Sequence, residues 1–105
     1  MKKKTWTIYK YTLKVQGEPQ EVLLPENSKL LTVQVQAGIP TLWVLQEKNA
    51  PTTCTHWIQL VGTGWPINEG QPEEWAYLGT TQLEGYVWHW FQMSTPHSWW
   101  LPATG

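Results

Sequence analysis

Apolar and polar side chains alternate with a period of two along most of the chain. Between Thr5 and Val15, the side chains of Tyr9, Tyr11, Leu13 and Val15 share one face, and Lys10, Thr12 and Lys14 take the other. That is the pattern of a half-buried strand. Gln16-Gly17-Glu18-Pro19 reads as a turn, and Glu21 to Leu24 as a short second strand stopped by Pro25 and Glu26-Asn27-Ser28. Leu31, Val33 and Val35 alternate with Thr32, Gln34 and Gln36 in a third strand, and Ala37-Gly38-Ile39-Pro40 turns it back into Thr41 to Glu47. After the polar loop Lys48 to Pro51, a strand from Thr53 to Val61 places Thr53, Thr55, Trp57, Gln59 and Val61 opposite Cys54, His56, Ile58 and Leu60. Gly62-Thr63-Gly64-Trp65-Pro66 ends it. Gly70 and Pro72 limit Asn68 to Glu74 to a loop with at most one helical turn. Trp75 to Leu83 and Tyr86 to Met93 are two further strands, joined through Glu84-Gly85. No window carries a helical period. The pattern predicts an all-β fold, a single small antiparallel β-sandwich or barrel of about seven strands. It spans residues 1–93, with a Trp-containing C-terminal extension at 94–105.

Composition narrows the chemistry. The chain has 105 residues, the size of one domain, and nine are Trp. All the charge comes from seven Lys and eight Glu; Arg and Asp do not occur. Bidentate Arg clamps, Asp-containing triads, Asp dyads and Asp-rich calcium loops are therefore excluded. A formal charge of −1 gives no pull toward nucleic acid polymers, which are gripped by clustered basic residues. Met1-Lys2-Lys3-Lys4 looks like the basic start of a signal peptide, but Thr5-Trp6-Thr7-Ile8-Tyr9-Lys10 follows where an apolar stretch is required. No apolar run is long enough to span a bilayer, so a cytoplasmic protein without a membrane partner is expected. The single Cys54 cannot form an internal disulfide or a cysteine-based zinc site.

Several segments resemble a family of short proteins encoded by tailed bacteriophages. They are the aromatic first strand Trp6 to Leu13, Val22-Leu23-Leu24-Pro25, and Leu31-Thr32-Val33-Gln34-Val35-Gln36 with Gly38, Pro40 and Leu42-Trp43-Val44-Leu45. The resemblance continues at Gly62-Thr63-Gly64 with Pro66-Ile67, at Tyr77-Leu78-Gly79-Thr80 with Gln82, and at Val87-Trp88-His89 with Phe91. It covers about residues 5–92; Ser94 to Gly105 has no counterpart in it. The resemblance implies a phage origin, hence the host bacterial cytoplasm, and a small β fold. It implies no mechanism.

The candidate chemistry is sparse. Gly62-Thr63-Gly64 can aim backbone N–H groups at a phosphate or carboxylate, or can simply be a strand-ending turn that needs Gly for its dihedrals. It lacks the Lys and following helix of a phosphate-binding P-loop. His56, His89 and His97 show no metal-ligand spacing and read as structural imidazoles, with His89 partly buried beside a hydroxyl or backbone partner. Cys54 with Ile58 and Leu60 reads as an inert core thiol, and Glu73-Glu74 as divergent loop carboxylates. The expectation is no catalytic constellation, no metal and no cofactor.

The tryptophans carry the information. Trp43 and Trp57 fall mid-strand and are expected in the core, whereas the last strand is aromatic or apolar on both faces, with Trp88 and Trp90 opposite Val87, His89 and Phe91. Together with Trp6, Trp65 and Trp75 in or near loops, this predicts exposed indoles that stack on a ligand or anchor an interface, or that extend a limited core. The terminal Leu-Pro-Ala-Thr-Gly resembles a sortase signal without the span that follows in wall-anchored substrates, and Trp99-Trp100 is placed to dock on the domain or a second copy. The expected ligand-binding set is Gly62, Thr63, Gly64, Trp65, Trp88, His89 and Trp90. Three functions compete: a non-catalytic binding module for a nucleotide-type immune signal, in one chain or between copies of a homo-oligomer; a host-protein or virion interaction module; and, last, an enzyme.

Overall fold

A computed structural model describes residues 3–68 and 70–93. The C-terminal segment 94–105, with His97, Trp99, Trp100 and the terminal pentapeptide, lies outside the described residues. The described chain forms seven strands: β1 (Trp6–Thr12), β2 (Gln20–Pro25), β3 (Lys29–Gln36), β4 (Ile39–Glu47), β5 (Thr52–Gly62), β6 (Ala76–Leu83) and β7 (Tyr86–Met93). A single 3-10 turn, Pro72–Glu74, precedes β6. The strands make two antiparallel sheets, ordered β1-β4-β3 and β2-β5-β7-β6. The all-β sandwich expected from the alternation is therefore what the chain forms.

Two hairpin turns follow from the residues that build them. Ala37-Gly38 and Glu84-Gly85 all have positive φ. That sign pattern belongs to the tight turn whose twist matches the flanking strands. It fixes the pairings Gln36↔Ile39 and Leu83↔Tyr86, and with them which residues of β3, β4, β6 and β7 face inward.

The core lies between the sheets. It comprises Leu13, Leu24, Val33, Leu42, Val44, Ile58, Leu60, Leu78 and Trp90, with Tyr11, Val22, Leu30 and Trp88 packed against it. Trp90 is fully buried, and its indole N–H donates to Thr81 Oγ1 at 2.9 Å. The polar end of its large apolar body is thus satisfied inside the protein. Trp43 and Trp57, expected in the core, are only half-buried. Trp43 is paired with Lys10 and Thr32, residues of the outward set, and Trp57 alternates with the inward Ile58. Burial of these two by position in mid-strand was the wrong inference, because face and not centrality decides it.

One edge of the sandwich is closed by two irregularities that face each other. The β3–β4 register shifts between Leu30 and Thr32, and the β6–β7 register shifts between Tyr77 and Gly79. Such bulges bend a strand and increase its twist. Here they bring β3 against β6, where Thr32 Oγ1 donates to Leu78 O at 2.8 Å. The first bulge also pushes Leu31 out to 39% exposure and turns Leu30 toward the core, reversing the expected role of Leu31. Gly79, at φ +149°, sits where an added Cβ would lie 2.7 Å from Val33 O.

Gly79→Ala should therefore destabilise the fold by about 1–3 kcal/mol, from backbone strain and the forced separation of β3 from β6. Gly17→Ala, with nothing within 4 Å of its Cβ position, should stay within about 0.5 kcal/mol of the parent. Urea denaturation of the two variants measures the difference.

Candidate functional site

The site is built by one connection. β5 and β6 each pair antiparallel with β7, which lies between them, so they run parallel. Residues 63–75 must therefore return along the length of the sheet, since parallel strands cannot be joined by a tight turn. β2 pairs with β5 only as far as Gln20↔Ile58, leaving Gln59 to Gly62 with a free edge. The connection wraps this edge. At its start, the Trp65 indole lies over Gly62 and meets Trp88 edge-on at 5.5 Å. At its end, Trp75 packs against Phe91 at 5.9 Å, on the face of the sheet turned away from the core.

Between these anchors is a cleft of about 260 Å³, lined by Gly17, Gln59, Leu60, Val61, Trp65, Pro66, Ile67, Asn68 and Trp75. Among the described residues, every side chain in that lining is uncharged. Trp65 is 48% exposed and offers an aromatic wall. Gln59, by contrast, is 7% exposed. Its Nε2 donates at 2.8 Å to both Gly17 O and Leu60 O. Because both partners are carbonyl oxygens, the orientation of the amide is fixed, and Oε1 is the atom left over. Among the described residues, the buried side-chain polar atoms without a protein partner are Gln59 Oε1 and Trp75 Nε1. One is an acceptor and the other a donor, and both residues line the same cleft. A buried polar group left unpaired costs about 1–3 kcal/mol, which sets these two atoms apart from the other buried polar side chains described.

The Gly62-Thr63-Gly64 segment serves the cleft differently from expectation. Gly62 is required for space: a Cβ there would lie 2.6 Å from the Trp65 ring. Gly64 is the residue that needs its dihedral, at φ +85°. Thr63 N–H donates to Val87 O and Trp65 N–H to Gly62 O. One amide of the supposed anion cradle, that of Thr63, is therefore committed within the protein, as is the next along the chain, that of Trp65.

Thr63 instead meets His89. Its Oγ1 is 2.7 Å from His89 Nε2, and Thr80 Oγ1 is 3.0 Å from Nδ1. Thr80 Oγ1 is also hydrogen-bonded to the Tyr77 hydroxyl. His89 is thus held at both ring nitrogens by threonine hydroxyls, each of which can donate or accept, on the outward face of the sheet. The structure brings Gly62, Thr63, Gly64, Trp65, Trp88 and His89 together around one loop. It removes Trp90, whose buried ring and satisfied N–H give a ligand no access. Gln59 and Trp75 were missed. Gln59 sits among outward-facing strand positions that look solvated until the connection covers them. A polar residue between Ile58 and Leu60, followed by a long Trp-flanked return, was the available signal.

Among the described residues, no group of three or more His, Cys, Asp or Glu side chains is placed to hold a metal ion, and no helix is long and apolar enough to cross a membrane. Cys54 is a free, partly buried thiol. Gln92 Nε2 lies 2.9 Å from His56 Nδ1 and donates to it. Burial disfavours the cation and holds the His56 pKa below its usual value. The unfolded chain therefore takes up the proton first. The contribution of His56 to stability is complete above about pH 6.5 and is lost as pH falls from there through the lowered folded value. His56→Gln should flatten this part of the stability profile, seen as a smaller difference in urea midpoint between about pH 7.5 and about pH 5.

No curated protein and no solved structure matches the chain. A family model does, over residues 4–100, spanning both sheets and the connection that forms the cleft. The chain belongs to the family described as a domain of unknown function, DUF7352.

Proposed function

We propose that this protein is a non-catalytic binding module whose cleft takes the neutral, planar end of a small ligand, and that a nucleobase of a nucleotide-type signal is the natural occupant. The observation that carries this reading is the unpaired donor and acceptor, Trp75 Nε1 and Gln59 Oε1, in one uncharged cleft. Every nucleobase offers a hydrogen-bond donor beside an acceptor on its Watson–Crick edge, and its faces stack on an indole such as Trp65. The uncharged lining and the occupied Thr63 and Trp65 amides argue that the base, not the phosphate, enters first. The sugar and phosphates of such a ligand extend outward past the Gly64 N–H and the hydroxyl network around His89. Among the described residues, no nucleophile paired with an oriented base lies in the cleft, which suits sequestration without turnover. The sequence resemblance to short tailed-phage proteins supports reading the ligand as a host immune signal, sequestered in the bacterial cytoplasm as an anti-defence measure.

The test uses a panel of nucleosides, cyclic di- and trinucleotides and nucleotide-ribose compounds. A ligand that fits should quench indole fluorescence and raise the melting temperature. Trp75→Phe removes the unpaired N–H while keeping an aromatic ring. It should leave the free protein as stable or more stable, and weaken ligand binding about tenfold. Absence of any quench or thermal shift across the panel would refute the nucleobase assignment. Binding unchanged in Trp75→Phe would move the site away from this cleft.

A further inference from the structure

In the other sheet, β1 is an open edge of the three-stranded order. Leu13 N–H donates to Pro40 O at 2.9 Å and Lys48 N–H donates to Thr5 O at 2.7 Å, at the two ends of the β1–β4 pairing. In an antiparallel pair the bonded residues alternate. The backbone groups of the odd-numbered residues thus point to β4, and those of Trp6, Ile8, Lys10 and Thr12 point away from it, where no described strand pairs with them. The same edge exposes apolar side chains, with Trp6 at 45% and Ile8 at 55% exposure.

Charge along this edge has one sign. From Lys3 to Gly17 the chain carries Lys3, Lys4, Lys10 and Lys14 and no Glu. At the start of β1 a hollow of about 520 Å³ is lined by Lys3, Lys4, Thr5, Glu47, Lys48 and Asn49, three cations against one carboxylate. The adjoining depression is balanced, with Glu26 and Glu47 beside Lys4 and Lys48, so the excess of positive charge is confined to the first hollow. Lys10 Nζ reaches across β4, donating to Gln36 Oε1 of β3 and lying 6.0 Å from the centre of the Trp43 ring, so its charge sits over the outward face of the sheet beside the edge. Lysines on an exposed edge keep identical edges apart, because a second copy would bring like charges together. The same arrangement favours a strand of opposite charge.

We propose that the free edge of β1 binds an extended acidic peptide segment of a partner protein by strand addition. The backbone groups of Trp6, Ile8, Lys10 and Thr12 supply the hydrogen bonds, apolar side chains of the incoming strand cover Trp6 and Ile8, and its carboxylates face the lysines and the basic hollow. This surface is separate from the cleft, and its occupancy does not depend on the nucleotide reading.

The probe is a fluorescein-labelled peptide of about eight residues with alternating Glu and Val, matched in length to a typical strand, together with its Lys/Val counterpart and a single-stranded oligonucleotide. Titrated into the full chain, the Glu/Val peptide should bind at least about tenfold more tightly than the Lys/Val peptide and weaken with added salt. Amide exchange followed by NMR should slow at Trp6, Ile8, Lys10 and Thr12 in the complex. Ile8→Pro removes an outward N–H that β4 does not use. It should fold, checked by its circular dichroism, and reduce peptide binding about tenfold; Lys10→Glu, which keeps the backbone, should do the same. Equal binding of the two peptides overturns the proposal. So do amides at these positions already protected in the free protein or unprotected in saturating peptide, and tighter binding of the oligonucleotide.

Discussion

The return from β5 to β6 is the constraint on which the rest of the architecture depends. Two parallel strands with a third between them cannot be linked by a turn, so residues 63–75 have to travel the length of the sheet. They do so around the part of β5 that β2 leaves unpaired. The anchoring is aromatic at both ends: Trp65 against Trp88 over the missing side chain of Gly62, and Trp75 against Phe91. An uncharged cleft is the space left between chain and sheet. Because the connection also carries Trp75 over the outward face, it buries groups that an ordinary strand would leave to solvent. Gln59 is the clearest case, an outward side chain reduced to 7% exposure.

Viewed from this connection, the abundance of Trp divides by task. Trp90 fills the core and satisfies its N–H on Thr81. Trp65 and Trp75 pin the connection, Trp88 supports Trp65 at the sheet's end, and Trp43 lies on the opposite sheet's outward face near Lys10. The last strand is aromatic on both sides because both sides are used: Trp88 and Trp90 toward the facing sheet, Phe91 toward Trp75 and Tyr77.

Period-two alternation made every strand legible, and Ala37-Gly38 and Glu84-Gly85 marked two turns. Face assignment was less secure wherever a bulge intervened. Leu31 was placed inward by simple alternation, and the extra residue in β3 sends it outward. Burial of Trp57 and Trp43 could not be read from mid-strand position, because it depends on which sheet face receives cover. The residue types of Gly62-Thr63-Gly64-Trp65, Trp88 and His89 were enough to single them out, and the fold gathers them around one loop. Gln59 and Trp75 were not, since their importance arises from sequence-distant packing that leaves each with one unpaired polar atom. Strand order decides that, and alternation carries no information about strand order.

Whether a bound nucleobase completes the unpaired donor is read most directly from the indole N–H resonance of Trp75, followed by nitrogen-15 NMR while a nucleobase ligand is titrated. Completion of the unpaired donor predicts that this resonance moves downfield and its exchange with solvent slows, in parallel with the quenching of Trp65. A Trp75 resonance that neither shifts nor gains protection at ligand saturation would contradict it.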